Sequence, residues 1–501
     1  MTNDDSRIRS MTIVGGGTAG WMAAAAFARH FQGTDLRIRL IESDDIGTIG
    51  VGEATIPTLR RFYAKLGMSD ASVMRATGAT AKLGILFEDW RARGDAFLHP
   101  FGLYGEDFGD VGFHHLWLAR RQAGDDTPIN AYSLGAQLAE QDRMMLPPQR
   151  HSPVAFGVFD WALHLDAARF AKHLRAYAEA SGVERIEGRI VDVVSDGKTI
   201  HSVRLERGED VDGDLFVDCS GFRSMLLSGA LGVGFEDWAQ WLPCDAAVAV
   251  QSEWDAGDPP PYTRAKGKEA GWQWRIPLRH RAGNGYVYSS KLISKDEAIA
   301  SLLADLPGKR LTEPLSIPFR SGRRSKSWSG NCVALGLAAG FLEPLESTSI
   351  ALIETGIDRL KELFPTRDFD PALADEYNDA TAREAERVRD FIILHYKLTG
   401  RDDTPFWTHC RDMPVPETLQ RKINLWDARG EFLRYRWEMF HPASWLAMYA
   451  GFDRSPRALN PAVAGAPDGL LSEGLDRIRQ IIADQVASAP THRQFLDEVH
   501  G

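Results

Sequence analysis

The run Gly15-Gly16-Gly17-Thr18-Ala19-Gly20 has glycine where a phosphate-binding turn needs it. Gly15 permits a tight turn, Gly17 lets the backbone approach a pyrophosphate, and Gly20 allows a helix to pack closely on a strand. Thr18 and Ala19 open that helix, whose N–H groups and partial positive charge suit a phosphate. Glu42, about 22 residues beyond Gly20, has the spacing of a carboxylate that accepts hydrogen bonds from a ribose. Without a ligand, the same residues would make a tight turn and a surface carboxylate. A second constellation is Gly271-Trp272-Gln273-Trp274-Arg275-Ile276-Pro277. Tryptophans at i and i+2 share one face of a strand and put a rigid apolar wall there. Alone, the pair reads as a packed sheet face, because aromatics favour strands.

These residues need elements to hold them. The apolar run 11–14 leads into the glycine turn, an Ala-rich helix follows from Trp21 to about Phe31, and a strand over 36–41 ends at Glu42. This β–loop–α–β order marks a dinucleotide-binding unit. Further strand patterns at 189–194, 202–205, 215–217, 248–251, 272–276 and 285–289, separated by Gly/Asp turns, predict a large mixed or antiparallel sheet. Helical periodicity covers 375–396, 426–449 and 475–486. Two later segments favour FAD over NAD by their order. They are Asp218-Cys219-Ser220-Gly221 after a strand, and the stretch 331–340 with Gly336, which resembles the late flavin-contacting segment of flavin monooxygenase-type folds. The expected fold is α/β: an FAD-binding Rossmann-like domain of flavin monooxygenase type with a large mixed sheet, plus a mainly helical substrate-binding region. The FAD-binding part is expected to be discontinuous (1–96, 155–235 and 309–365), and the substrate-binding part to take 97–154, 236–308 and 366–501.

The chain of 501 residues is 44% hydrophobic and 25% charged, as expected of a globular protein. A net charge of −11 leaves no basic excess for nucleic acid. The first ten residues hold no apolar signal core, and runs such as 333–339 fall short of the roughly 20 residues that span a bilayer. The four cysteines are far apart and form no CxxC pair, so neither a disulfide framework nor a metal site is expected. A cytoplasmic enzyme with reduced thiols and no membrane or nucleic-acid partner is the expectation.

Taken with the glycine turn and Pro344-Leu345-Glu346-Ser347, the Trp-x-Trp-x-Ile-Pro segment resembles the flavin-dependent halogenases of the tryptophan/indole type. Ile46-Gly47-Thr48-Ile49-Gly50-Val51-Gly52-Glu53-Ala54-Thr55 resembles the loop that straps across the flavin in that family. The segments 285–290 and 398–407 are similar to it as well, and the likeness runs from the N-terminus to about Trp407. The resemblance implies reduced FAD, oxygen and chloride or bromide as reactants, with hypohalous acid passing to a separate aromatic site. It assigns Gly50, Val51, Gly52, Glu53, Ala54, Gly336 and Leu345 to the flavin. Lys82 would hold or capture the halogen and Glu346 would be the catalytic glutamate. Ser347 would orient one of them, and the N–H groups of Thr348 and Ser349 would bind halide, although some relatives carry glycine at the second position. His99 and Phe101, in His99-Pro100-Phe101-Gly102, match a substrate wall. Trp272 and Trp274 become a barrier between flavin and substrate. The chemistry suits these types: an ammonium offers three donors, a desolvated amine is nucleophilic, and a carboxylate accepts a proton.

The pattern departs from the family further on. Tryptophan-halogenating members carry Tyr-Tyr about seven residues before a glutamate and Phe-Trp after it. Here Glu431 matches the glutamate, Asn424 and Leu425 stand for the tyrosines, and Tyr435-Arg436-Trp437 replaces Phe-Trp. Glu431 and Trp437 remain substrate candidates, and the substrate is expected to be indole or a substituted indole rather than free tryptophan. No second glycine-rich fold for NAD(P)H is evident, so a separate flavin reductase is expected; a homodimer is left open. An aromatic hydroxylase is the alternative, disfavoured by the tryptophan wall. A flavin-binding relative without chemistry is disfavoured by Lys82 and Glu346.

Overall fold

The computed structural model describes residues 6–45, 53–147, 154–255, 257–465 and 468–501. Its contacts divide the chain into two compact units, each built from three segments. The first comprises 1–78, 165–245 and 318–386; the second comprises 79–164, 246–317 and 387–501. Residues 79–96, 155–164 and 309–317 cluster with the second unit, and 236–245 and 366–386 with the first, where the boundaries read from pattern divide them the other way. For 79–96 the reason is pairing: the strand Gly84–Glu88 joins Tyr262–Lys268 on one side and Ala96–Pro100 on the other.

In the first unit, a six-stranded sheet runs Trp328–Ser329, Cys332–Ala334, Leu215–Asp218, Ser10–Val14, Arg37–Glu42, Glu184–Glu187. All neighbours are parallel except the first pair. Its central strands Cys332–Ala334, Leu215–Asp218 and Ser10–Val14 are buried throughout, as expected of parallel strands covered on both faces, while Arg37–Glu42 and Glu184–Glu187 toward one edge alternate buried and exposed residues. The helix Thr18–His30 follows the first strand and packs on the helices Ala167–Ala180 and Ser349–Glu362. Val14, Ile41, Phe216, Leu226 and Cys332 belong to one buried cluster that joins sheet and flanking elements.

In the second unit, a seven-stranded mixed sheet is ordered Leu315–Pro318, Ala246–Ser252, Ala282–Tyr288, Gly271–Pro277, Tyr262–Lys268, Gly84–Glu88, Ala96–Pro100. The helix Lys295–Leu303 covers one part of it, burying Ala298 and Leu302 against Val248, Val250 and Tyr286. Helices Pro405–Asp412, Glu417–Arg429, Pro442–Gly451, Asp468–Ser488 and His492–His500 follow. The continuous helical signal expected over 426–449 is broken. Gly430 ends one helix in the left-handed region (φ +75°), and Pro442 opens the next, so 431–441 is irregular. The four cysteines are free and buried. Among the described residues, no helix is long and apolar enough to cross a membrane, and no three His, Cys, Asp or Glu side chains are grouped to hold a metal.

Candidate active site

The glycine turn joins the strand Ser10–Val14 to its helix through close approaches that exclude side chains. Gly15 has φ +110°, and a Cβ there would lie 2.3 Å from the Cys219 carbonyl oxygen; at Gly20 it would lie 1.8 Å from the Gly15 oxygen. Gly17, by contrast, faces open space, with no atom within 4 Å of a built Cβ. Gly17 is also the N-cap and offers no side-chain cap, so the first N–H groups of the helix, around Thr18 and Ala19, lack partners within it. Such open N–H donors at a helix start suit a pyrophosphate, so the residues present fit the phosphates of FAD. Glu42 lies against the same turn. It accepts from Arg185 (2.6 Å), Arg175 (3.3 Å) and Trp21 Nε1 (3.3 Å). A ribose hydroxyl would share this carboxylate with three donors that the spacing argument did not foresee.

The two later segments meet the same sheet. Asp218 is fully buried and accepts from Ser220 N and Oγ and from the N–H groups of Leu226 and Leu227, so it holds the turn after its strand rather than a ligand. Gly336 (φ +63°) starts a short 3-10 turn beside Ala19. Of the strap, Glu53 and Ala54 form a short strand, and burial pushes the Glu53 carboxyl up to about 7. Gly50, Val51 and Gly52 lie outside the described residues.

Pro344–Glu346 makes one 3-10 turn, with Leu345 and Glu346 buried. Ser347 adopts φ +58°, a conformation a non-glycine residue takes up at a cost of about 1–3 kcal/mol. It reverses the chain into Thr348, N-cap of the helix Ser349–Glu362, which has no side-chain cap. The N–H groups of Thr348 and Ser349 thus sit at the positive end of a 14-residue helix. One and a half turns on, burial raises the Glu354 carboxyl to about 8.

The second unit carries the lysine. Lys82 ends the strand Thr80–Lys82, is 0% exposed, and has its ammonium 5.2 Å from the centre of the Phe101 ring. That is within cation–π range. Backbone pairing produces the contact: Phe101 N–H donates to Leu83 O at 2.8 Å, next to Lys82. His99 is buried at the end of the strand Ala96–Pro100, edge-on to Phe391 at 5.9 Å. Phe391 in turn stacks on Phe440 at 3.9 Å and meets Trp445 at 5.0 Å. Pattern reading missed these three aromatics; they come from a long helix and from segments past the break at Gly430. Nearby in sequence, the buried Lys422 pairs with Glu438 at 2.6 Å and lies 4.1 Å from the Trp445 ring centre. Burial lowers the pKa of Lys422, against the pull of Glu438.

Trp272 and Trp274 share one face of Gly271–Pro277, ring centres 6.1 Å apart. Trp272 belongs to an aromatic cluster with Trp90, which also meets Tyr396 and Trp407. Trp274 lies flat across Gly285 on the neighbouring strand, where a Cβ would come within 2.0 Å of its ring. The recorded partners of Glu431 are Arg429 (3.3 Å), Asn460 (3.5 Å) and His115 (3.8 Å). Trp437 sits in the irregular segment at φ +68°, under the Arg436 guanidinium at 4.5 Å. Asn424 and Leu425 are both exposed on the helix Glu417–Arg429.

The family model described as tryptophan halogenase matches residues 10–468. The chain is 36% identical over 520 residues to the 7-chloro-L-tryptophan 6-halogenase KtzR of Kutzneria sp. (strain 744), covering 98% of this chain and 99% of that one. Among solved structures it is similar to BrvH, a flavin-dependent halogenase from Brevundimonas sp. BAL3, with 60% identity, TM-score 0.95, and 99% and 100% of the two chains covered. It is also similar to Xcc4156, a flavin-dependent halogenase from Xanthomonas campestris, with 43% identity, TM-score 0.93, and 98% of each chain covered.

Proposed function

The chain belongs to the tryptophan halogenase family, a family of flavin-dependent oxidoreductases, and on that premise we propose that it uses reduced FAD, oxygen and chloride or bromide to halogenate indole or a substituted indole. A separate reductase would supply the reduced FAD. The observation that carries the reading is the fully buried Lys82 ammonium poised over Phe101. A lysine is almost never fully buried unless its charge is compensated, and one held against an aromatic wall suits delivery of an electrophile to a ring.

The FAD would be held by Gly15, Gly17, Gly20 and the start of the helix they open, with Glu42 at the ribose and Glu53, Ala54, Gly336 and Leu345 as further contacts. When bound and reduced, it supplies with oxygen the oxidising equivalents that turn halide into hypohalous acid. Thr348 and Ser349 would hold the halide on their N–H groups. Lys82 either donates hydrogen bonds to hypohalous acid, or its free amine takes the halogen and releases water. The aromatic carbon then bonds the halogen as its bond to oxygen or to the lysine nitrogen breaks, leaving water (with a proton from the ammonium) or the amine, and the ring loses its proton to a base. Glu346 is the carboxylate assigned to that proton, with Ser347 orienting it. Burial of Lys82 and Glu346 excludes the water that would consume the oxidant. His99 and Phe101 would press on the substrate ring, and Trp272 and Trp274 would wall it off from the flavin.

The substrate proposal departs from the tryptophan named for KtzR. With Asn424 and Leu425 turned outward and Glu431 engaged by Arg429, nothing matching the amino-acid grip supports a free tryptophan substrate. The test supplies reduced FAD and either halide to indoles, tryptophan, phenols and pyrroles and reads products by mass. Halogenated indoles should dominate. Much faster turnover of tryptophan than of indole would overturn the substrate, and products gaining oxygen alone would favour a hydroxylase.

A further inference from the structure

Among the described residues, the strand Thr80–Lys82 pairs with one strand, Ala162–Leu165, with Lys82 opposite Ala162. Its other side meets the last helix of the chain, His492–His500. The Ala81 N–H donates to His492 Nε2 at 3.2 Å, and the Ala79 carbonyl pairs with His500 Nε2 at 2.9 Å. Residues 79 and 81 present their backbone groups to the same side of the chain, as an edge strand would to a neighbour. Two imidazoles from one helix take the place of that neighbour.

The hydrogen bonds also fix the protonation of the rings. His492 Nε2 accepts from Ala81, so its proton is on Nδ1, which donates to Pro259 O at 2.6 Å. Thr80 Oγ gives its one proton to Pro277 O at 2.6 Å and therefore accepts from His164 Nδ1 at 3.0 Å. Burial keeps the His164 ring neutral, so its Nε2 accepts from Thr263 Oγ at 2.9 Å. Both rings are neutral and buried, one on either side of the lysine strand. Burial pushes His492 down to about 4, opposed by the Pro259 carbonyl and by Asp258 in the adjoining loop. Burial, then the charge of Lys82, then His492 lower His164. The helix is anchored at its start: His492 N–H donates to Asp142 O, and Met144 N–H to Pro490 O.

We infer that the C-terminal helix is a positioning device for the lysine, with His492 and His500 setting the register and direction of Lys82 through the backbone on either side of Ala81. These residues lie beyond position 468, where the family match ends. The inference rests on the assignment of the halogen to Lys82. An ammonium displaced by an ångström would let hypohalous acid escape rather than deliver it. His492 and His500 therefore govern how much product forms per flavin oxidised.

The test measures that ratio, with escaped hypohalous acid trapped by a thioether, in His492→Phe, His492→Gln and Lys82→Ala. His492→Phe keeps a ring but removes both hydrogen bonds. It should lower the ratio about tenfold while flavin oxidation continues. His492→Gln restores an acceptor for Ala81 and should recover most of the ratio. In the wild type the ratio should fall as pH drops toward about 4, where a protonated His492 can no longer accept; the Gln variant should lack that fall. A folded His492→Phe with the wild-type ratio overturns the inference. Product retained by Lys82→Ala overturns instead the assignment beneath it. If His492→Phe does not accumulate, His500→Leu, one residue from the end of the sequence, takes its place with the same two outcomes.

Discussion

The turn at 15–20 and the strand Thr80–Lys82 are stabilised over different distances. Gly20 packs on the oxygen of Gly15, and Gly15 donates its N–H to Ile41 on the adjoining strand. Most of what shapes that turn lies within one β–α–β unit. Thr80 and Ala81 instead bond to His164, Pro277 and His492, which are 84, 197 and 411 residues away. A phosphate cradle needs only backbone N–H groups and room, and a short peptide motif encodes both. A buried ammonium needs surroundings that tolerate its charge and fix its direction, and those come from the whole unit. Among carboxyls and imidazoles, the ones that burial shifts furthest also differ between the two units, although burial moves both types in each. In the first unit burial raises carboxyls, Glu53 to about 7 and Glu354 to about 8. In the second it lowers imidazoles, His114 and His492 to about 4.

The contrast is broken most directly at its tightest point. Gly20→Ala puts a Cβ against a backbone oxygen that cannot retreat. It should cost roughly 4–5 kcal/mol of stability and abolish flavin binding, read by denaturation and by flavin retention; a variant that binds flavin normally would show that the turn is not held locally. Glu346→Gln comes next. It keeps size and hydrogen bonding but cannot take up a proton, and it should slow product formation about 10³-fold while leaving flavin oxidation unchanged. An unchanged product rate would remove Glu346 from the chemistry.

The response to pH comes last and should have opposite signs in the two units. The folded pKa of His492 lies below the unfolded value of 6.5, so the stability tied to its neutral form is present above pH 6.5 and is lost as pH falls toward about 4. At about 1.4 kcal/mol per unit this amounts to about 3 kcal/mol. The folded pKa of Glu354 is raised from 4.5 to about 8, so its contribution is present below 4.5 and lost as pH rises through about 8. Denaturation midpoints across pH should flatten on the acid side in His492→Gln and on the alkaline side in Glu354→Gln. Equal slopes in wild type and variants would show that neither group titrates differently on folding.

Much of the fold was legible because its signals are local. The strand before the glycine turn, its helix, and the strands around 215–218 and 271–277 stand where alternation and apolar runs put them. The break inside 426–449 was less so: the helical period continues through it, and the left-handed Gly430 and the start at Pro442 interrupt it. Glu42 was legible as the acid at a strand end, but Arg185, which engages it, lies 143 residues away with no spacing rule to announce it. The aromatics around His99 were hidden for the same reason, since Phe391, Phe440 and Trp445 converge only when a long helix and two later segments fold together.

By itself, the sequence determined that the chain has a tight glycine turn opening a helix, a large mixed sheet carrying a tryptophan pair, and the motifs of the tryptophan halogenase family. Glycine spacing and side-chain periodicity act between near neighbours, so a linear text can carry them. Tertiary structure alone decided that Lys82 is buried over Phe101, that Trp274 lies across Gly285, and that two histidines of the last helix close the edge of the lysine strand. Burial, charge environment and edge pairing are properties of what surrounds a residue, and here the surroundings come from opposite ends of the chain.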